Sequence, residues 1–173
     1  MRDAQWIATL LRAGLLKGSF IPDKTFRELR HLTRYRKSIV RDITAQKNRI
    51  DKFLQSSGFR FTAFLSDAFG ASGRNIIRHL MEYGNISREA LDRCLKTQTR
   101  KRIDEILIAL NGSLSEHQRG FLRMIFGHLE ALEQHRHTVE DAITKEITKH
   151  EEALSLLCSI PGIDVTAAAA IIA

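Results

Sequence analysis

The sequence predicts a mainly α-helical protein with long coiled-coil helices, a small helical bundle and a C-terminal helix-hairpin-helix-like turn. Three observations carry that prediction. Thr25 to Leu54 contains neither proline nor glycine, and Phe26, Leu29, Leu32, Ile39, Val40, Ile43, Ile50, Phe53 and Leu54 recur at helical spacing. Ser115 to Ser159 repeats the pattern with Leu122, Ile125, Leu129, Leu132, Val139, Ile143, Ile147, Leu154 and Leu157. The 2 prolines of the chain, Pro22 and Pro161, bracket everything between, where only scattered glycines break the helical pattern.

Taken in order, Asp3 to Leu16 reads as a helix with Trp6, Ile7, Leu10, Leu11 and Leu15 on one face, and Gly18 to Pro22 as a connector. The long helix follows. Thirty helical residues span about 45 Å, too long for one face to be buried by a compact core alone, so coiled-coil packing is expected. Ser56-Ser57-Gly58 ends it. Phe59, Phe61, Phe64, Leu65 and Phe69 then form an aromatic cluster. Such a cluster can stack on unpaired bases, although burial in a core is the commoner fate of aromatic rings.

Short helices are expected from about Arg74 to Tyr83, from Ser87 as an N-cap, and from Arg100 to Leu110 before Asn111-Gly112. Ser115 and Gln118 have capping-box spacing and open the second long pattern. Its apolar seam is more than the short helices can cover, which predicts self-association as a homodimer or higher oligomer.

Charge gives the functional signal. The net charge is +7, the isoelectric point is near 9.8, and Thr25 to Leu54 holds nine Lys or Arg against three acids. Arg27, Arg30, Arg34, Lys37 and Arg41 step by three and four, drawing one basic stripe along the helix, with Arg36 and Arg49 nearby. A solvated face normally mixes both signs. This balance points to nucleic acid or an anionic surface. No apolar run approaches the roughly 20 residues of a membrane span, and a signal-peptide core is absent. Cys94 and Cys158 share no metal or redox spacing, which suits free buried thiols in a reducing cytoplasm. His135 and His137, with Glu140 and Asp141, are the best candidate metal cluster. Two residues apart on a helix, the histidines face different ways, and a solvated surface is the better reading.

At the C-terminus, Ile160-Pro161-Gly162-Ile163 stops one helix and Asp164 can cap another. This resembles a helix-hairpin-helix motif, in which backbone N–H groups at Gly162 and Ile163 would meet a DNA phosphate. The motif has a second glycine where this chain has Asp164, whose carboxylate would repel that phosphate.

DAQWIATLLRAGLL, SFIPD, the RxLxRxR run from Arg30 to Arg36, GASGRNIIRHLM and SIPGIDVTAAAAIIA together resemble the insertion-sequence one-ten family of transposases, grouped with the one-sixteen and nine-oh-two types. The resemblance extends along the whole chain. It implies three regions: the C-terminal end of a RuvC-like nuclease domain at 1–22, the basic long helix, helical bundle and coiled coil at 23–153, and the start of a serine-bearing transposase domain at 154–173. It further implies Mg²⁺ at an acidic site, a guide RNA of the element, and DNA as substrate. Asp3 matches the last acid of that site, and its partners would precede Met1. The chain is therefore expected to be an internal piece lacking both catalytic ends, holding no cofactor and catalysing nothing alone. Ser113, Ser115, Ser155 and Ser159 read as caps rather than nucleophiles. Two other readings stand beside this one: a structural coiled-coil dimerisation module, and a small helix-hairpin-helix DNA-binding protein.

Overall fold

The structure, a computed structural model, describes residues 2–16 and 22–173. Most of the connector expected at Gly18 to Pro22 lies outside those residues. Among the described residues the protein is helical without strands: α1 (Arg2–Arg12), α2 (Lys24–Ser56), α3 (Ala71–Tyr83), α4 (Arg88–Cys94), α5 (Thr97–Arg100), α6 (Ile103–Ala109), α7 (Glu116–Ile147), α8 (Glu151–Cys158) and α9 (Val165–Ile172). The chain divides into two compact units, Met1–Thr33 with Lys145–Ala173, and Arg34–Thr144. Both unit boundaries fall inside the long helices.

In the unit Arg34–Thr144, α2 and α7 run antiparallel. Arg36 meets Glu140 at 2.7 Å, Gln46 Nε2 donates to the Ile125 carbonyl at 2.6 Å, and the Phe53 and Phe121 rings lie 5.1 Å apart. Residue numbers rise along one helix as they fall along the other. Ile39, Ile43, Ile50 and Leu54 of α2 are buried, as are Leu122, Ile125, Leu129, Val139 and Ile143 of α7. The seam that suggested self-association is therefore covered within the chain. That removes the argument for a dimer drawn from an uncovered stripe. Gln46, 1% exposed, is the polar residue inside this seam. Its bond to a main-chain carbonyl favours one register, since a shift would strand a buried amide.

The short helices complete the core. Phe59 and Phe61 are fully buried beside Ile76, Ile77, Leu80, Leu91 and Ile106, so the core reading holds for those two rings. Phe64 and Phe69 remain half-exposed. The loop after α2 is tied to the end of α6 by Arg60 N–H donating to the Ala109 carbonyl at 2.8 Å. The loop before α7 is tied to the end of α3 by Leu114 N–H donating to the Gly84 carbonyl at 2.7 Å.

Local signals place most helix ends. Ser87 Oγ accepts from Ala90 N–H at 3.3 Å. Ser115 and Gln118 form both bonds of the capping box, at 3.3 and 2.9 Å. Three expectations need correction. The helix expected from Asp3 to Leu16 ends at Arg12, before the left-handed Gly14. The helix expected from Arg100 to Leu110 is split into α5 and α6, and the pattern to Ser159 breaks at a 3₁₀ turn, Thr148–His150, before α8. Neither break has a proline or glycine to announce it.

In the other unit, α8 and α9 form the C-terminal hairpin. Phe26 stacks on His150 with ring centroids 4.7 Å apart, Leu29 is buried, and Arg30 Nε donates to the Ala173 carbonyl at 2.7 Å. The apolar face expected on α1 is not covered: Trp6 is 65% and Leu11 64% exposed.

Candidate nucleic-acid interface

The basic residues of α2 separate by the direction in which the helix carries them. In the unit Arg34–Thr144, the residues Arg34, Lys37, Arg41, Arg49 and Lys52 are exposed. None of these five makes an ion pair among the described residues. At 100° per residue they lie on the side of α2 opposite Ile39, Ile43, Ile50 and Leu54. They span about 27 Å of helix, five turns. Arg49 donates to Gln46 Oε1 and so is anchored at its base. Arg34, Lys37 and Arg41 have no side-chain partner at all among the described residues.

Arg36 belongs to a different environment. Two residues beyond Arg34, it is turned some 200° around the helix. Its Nε and Nη2 both donate to Glu140 Oε1, at 2.9 and 2.7 Å, in a half-buried setting. Arg136 and His137 lie 3.7 and 3.8 Å from the other oxygen of the same carboxylate. Arg36 holds two helices together rather than facing solvent. In the other unit Arg27 is exposed, while Arg30 is taken up by the Ala173 carbonyl. Of the cations that spacing singled out, Arg30 and Arg36 are thus taken up by the chain itself, and Arg27, Arg34, Lys37, Arg41 and Arg49 are exposed.

The hairpin residues are placed as follows. Gly162 has φ +90°, a left-handed turn that suits glycine, and is exposed. Ile163 N–H already donates to the Ile160 carbonyl at 3.1 Å. Asp164 caps α9, its Oδ1 accepting from Ala167 N–H at 2.7 Å. Of the two amides singled out from the sequence, that of Ile163 is thus engaged by the chain's own carbonyl, and the Asp164 carboxylate follows directly.

Asp3 lies exposed in the first turn of α1. Among the described residues no group of three or more His, Cys, Asp or Glu is placed to hold a metal ion. One exposed carboxylate does not meet the demand of Mg²⁺ for several convergent oxygens, so the residues present do not fit the ion. His135 and His137 are both exposed on α7, and only His137 approaches an acid. Both cysteines are free, but the burial expected of them is only partial for Cys94 and fails for Cys158, which is exposed; burial raises the Cys94 thiol above its ordinary range, which leaves it a poor nucleophile. No described helix is long and apolar enough to cross a membrane.

Residues 1–58 match a family model described as a transposase, that of the DEDD transposases of the IS110 type. The matched segment contains Asp3 and the whole of α2. Neither the curated proteins nor the solved structures gave a match.

Proposed function

We propose that the chain binds nucleic acid through the outward face of α2, as part of a transposase-type recombinase acting on DNA with an RNA partner. The observation that carries this reading is the row Arg34, Lys37 and Arg41, exposed and paired with no acid among the described residues, in a chain whose other arginines are mostly paired. The family match over residues 1–58 supports the enzyme class.

Cations along a straight helix meet phosphates in series and release the counterions condensed on them. Such contacts position a backbone and carry no sequence information. Sequence choice would then rest on the RNA partner, which is the first ligand to test. The chain alone is not expected to cut DNA, because Asp3 has no carboxylate beside it to share a metal.

The test is the salt dependence of binding to a structured RNA and to duplex DNA. Contacts with about 4 or 5 phosphates give a log–log slope near −3 to −4.5. A slope near zero with both ligands would mean that the basic face serves only solubility.

A further inference from the structure

A second surface of the unit Arg34–Thr144 carries a different chemistry. A cleft of about 640 Å³ opens between the 3₁₀ turn Phe61–Phe64, the start of α3, and the segment from Lys96 to Arg102. Phe64, unlike Phe59 and Phe61, is left half-exposed at its wall. The guanidinium of Arg102 lies 5.3 Å from the centroid of that ring, so two planar groups stand together at the edge of the cleft. Arg102 is held there by Glu105, to which it donates at 2.8 and 3.0 Å.

The remaining wall is polar. Lys96 is exposed and makes no ion pair among the described residues. Gln98 offers an amide. Asp67 accepts from Phe69 N–H through Oδ1 at 3.0 Å, which leaves Oδ2 as an acceptor. A flat apolar and cationic platform, amide and carboxylate groups able to meet a base edge, and a lysine for a phosphate suit one ligand class. We infer that this cleft receives an unpaired nucleotide of a single strand. Its base stacks on the Phe64–Arg102 pair, and its phosphate meets Lys96. The inference rests on the nucleic-acid reading above but uses none of the cations of α2. It also gives the aromatic cluster a divided role: Phe59 and Phe61 make the core, and Phe64 makes the platform.

The probe is a short oligothymidine with one 2-aminopurine, whose fluorescence is quenched by stacking. The free 2-aminopurine nucleoside monophosphate is the second arm. The full chain should quench the strand at lower concentration than the monophosphate. Phe64→Leu should weaken strand binding about 5- to 150-fold, the range for losing one base–aromatic stack, and abolish the quench. Lys96→Gln and Gln98→Ala change exposed side chains. They should weaken binding too, with Lys96→Gln lowering the salt slope by about 0.7. These two variants keep the test valid if Phe64→Leu fails to fold, which circular dichroism would reveal. Arg34→Gln, Lys37→Gln and Arg41→Gln combined should flatten the salt slope while preserving the quench at saturation. If that variant leaves the slope unchanged but Phe64→Leu abolishes the quench, the α2 reading fails and the cleft stands. Quenching that survives in folded Phe64→Leu, or no quenching by the wild-type chain, overturns the cleft.

Discussion

Arg74 and Arg78 on α3, and Arg34 and Arg41 on α2, sit on helices of similar character and meet opposite fates. Arg74 reaches Glu133 of α7 at 2.6 Å, Arg78 reaches Glu130 at 2.9 Å, and both guanidinium groups lie within 6 Å of the Phe126 ring. Nearby, Arg123 donates to the Met81 carbonyl at 2.7 Å, and Arg119 to that of Glu82. Arg34 and Arg41 are exposed and meet no acid among the described residues. The difference lies in the facing helix. α7 turns Glu130 and Glu133 toward α3 and Glu140 toward Arg36, and no described acid pairs with the outward side of α2. Arginine in this protein is glue where an acid faces it and a free charge where none does.

The largest effect should come from removing the ring under the paired set. Phe126 is 2% exposed, and Phe126→Ala is expected to cost about 3–5 kcal/mol in urea denaturation. A loss below about 1 kcal/mol would mean that the α3–α7 contact is not the core of this unit.

Breaking one pair comes next. Arg74 and Glu133 are each about four-fifths covered, so Glu133→Gln should cost roughly 2 kcal/mol, between exposed and buried pairs. The half-exposed Arg78–Glu130 pair should count for less, Glu130→Gln costing about 0.5 kcal/mol or less in the same denaturation measurement. Equal values for the two would show that burial does not grade these contacts.

A pH effect should be smaller still. Burial holds the His79 imidazole below its ordinary value, with Arg93 adding to the shift and Glu82 opposing it. A lowered histidine binds fewer protons folded than unfolded in that window, so stability rises with pH there. The contribution is present above about pH 6.5 and is lost as pH falls through the lowered value. The melting temperature of the wild type minus that of His79→Gln should therefore fall on acidification. A difference that rises would contradict the sign.

The smallest effect belongs to the unpaired set. Arg34→Gln should change stability by no more than about 0.5 kcal/mol, because nothing described depends on it. A loss near that of Glu133→Gln would mean that Arg34 has a structural partner.

Much of this was legible in the sequence. The long helices, the Ser87 cap, the capping box at Ser115 and Gln118, and the Asp164 cap follow from periodicity and short-range hydrogen bonding, both encoded within a few residues. The α5–α6 split and the turn at Thr148–His150 were not, since no breaker residue marks them and tertiary packing decides there. The position of Arg36 could have been read: a step of two from Arg34 turns it away from the stripe. Its partner Glu140 could not, because a pairing across two helices depends on register, which Gln46 and the seam set together. Phe64 was separable from Phe59 and Phe61 only once the core had a shape.

The most direct test of the central claim compares two sets of substitutions in one binding assay. Arg34→Gln, Lys37→Gln and Arg41→Gln together remove unpaired charges, while Arg74→Gln with Arg78→Gln removes paired ones. Affinity for a structured RNA is measured against salt for both variants and the wild type, at a temperature where all three remain helical. The first set should flatten the log–log slope by about 2 to 3, and the second should leave it unchanged. Equal flattening by both sets, or by neither, would contradict the claim that the free face of α2 is what meets the phosphates.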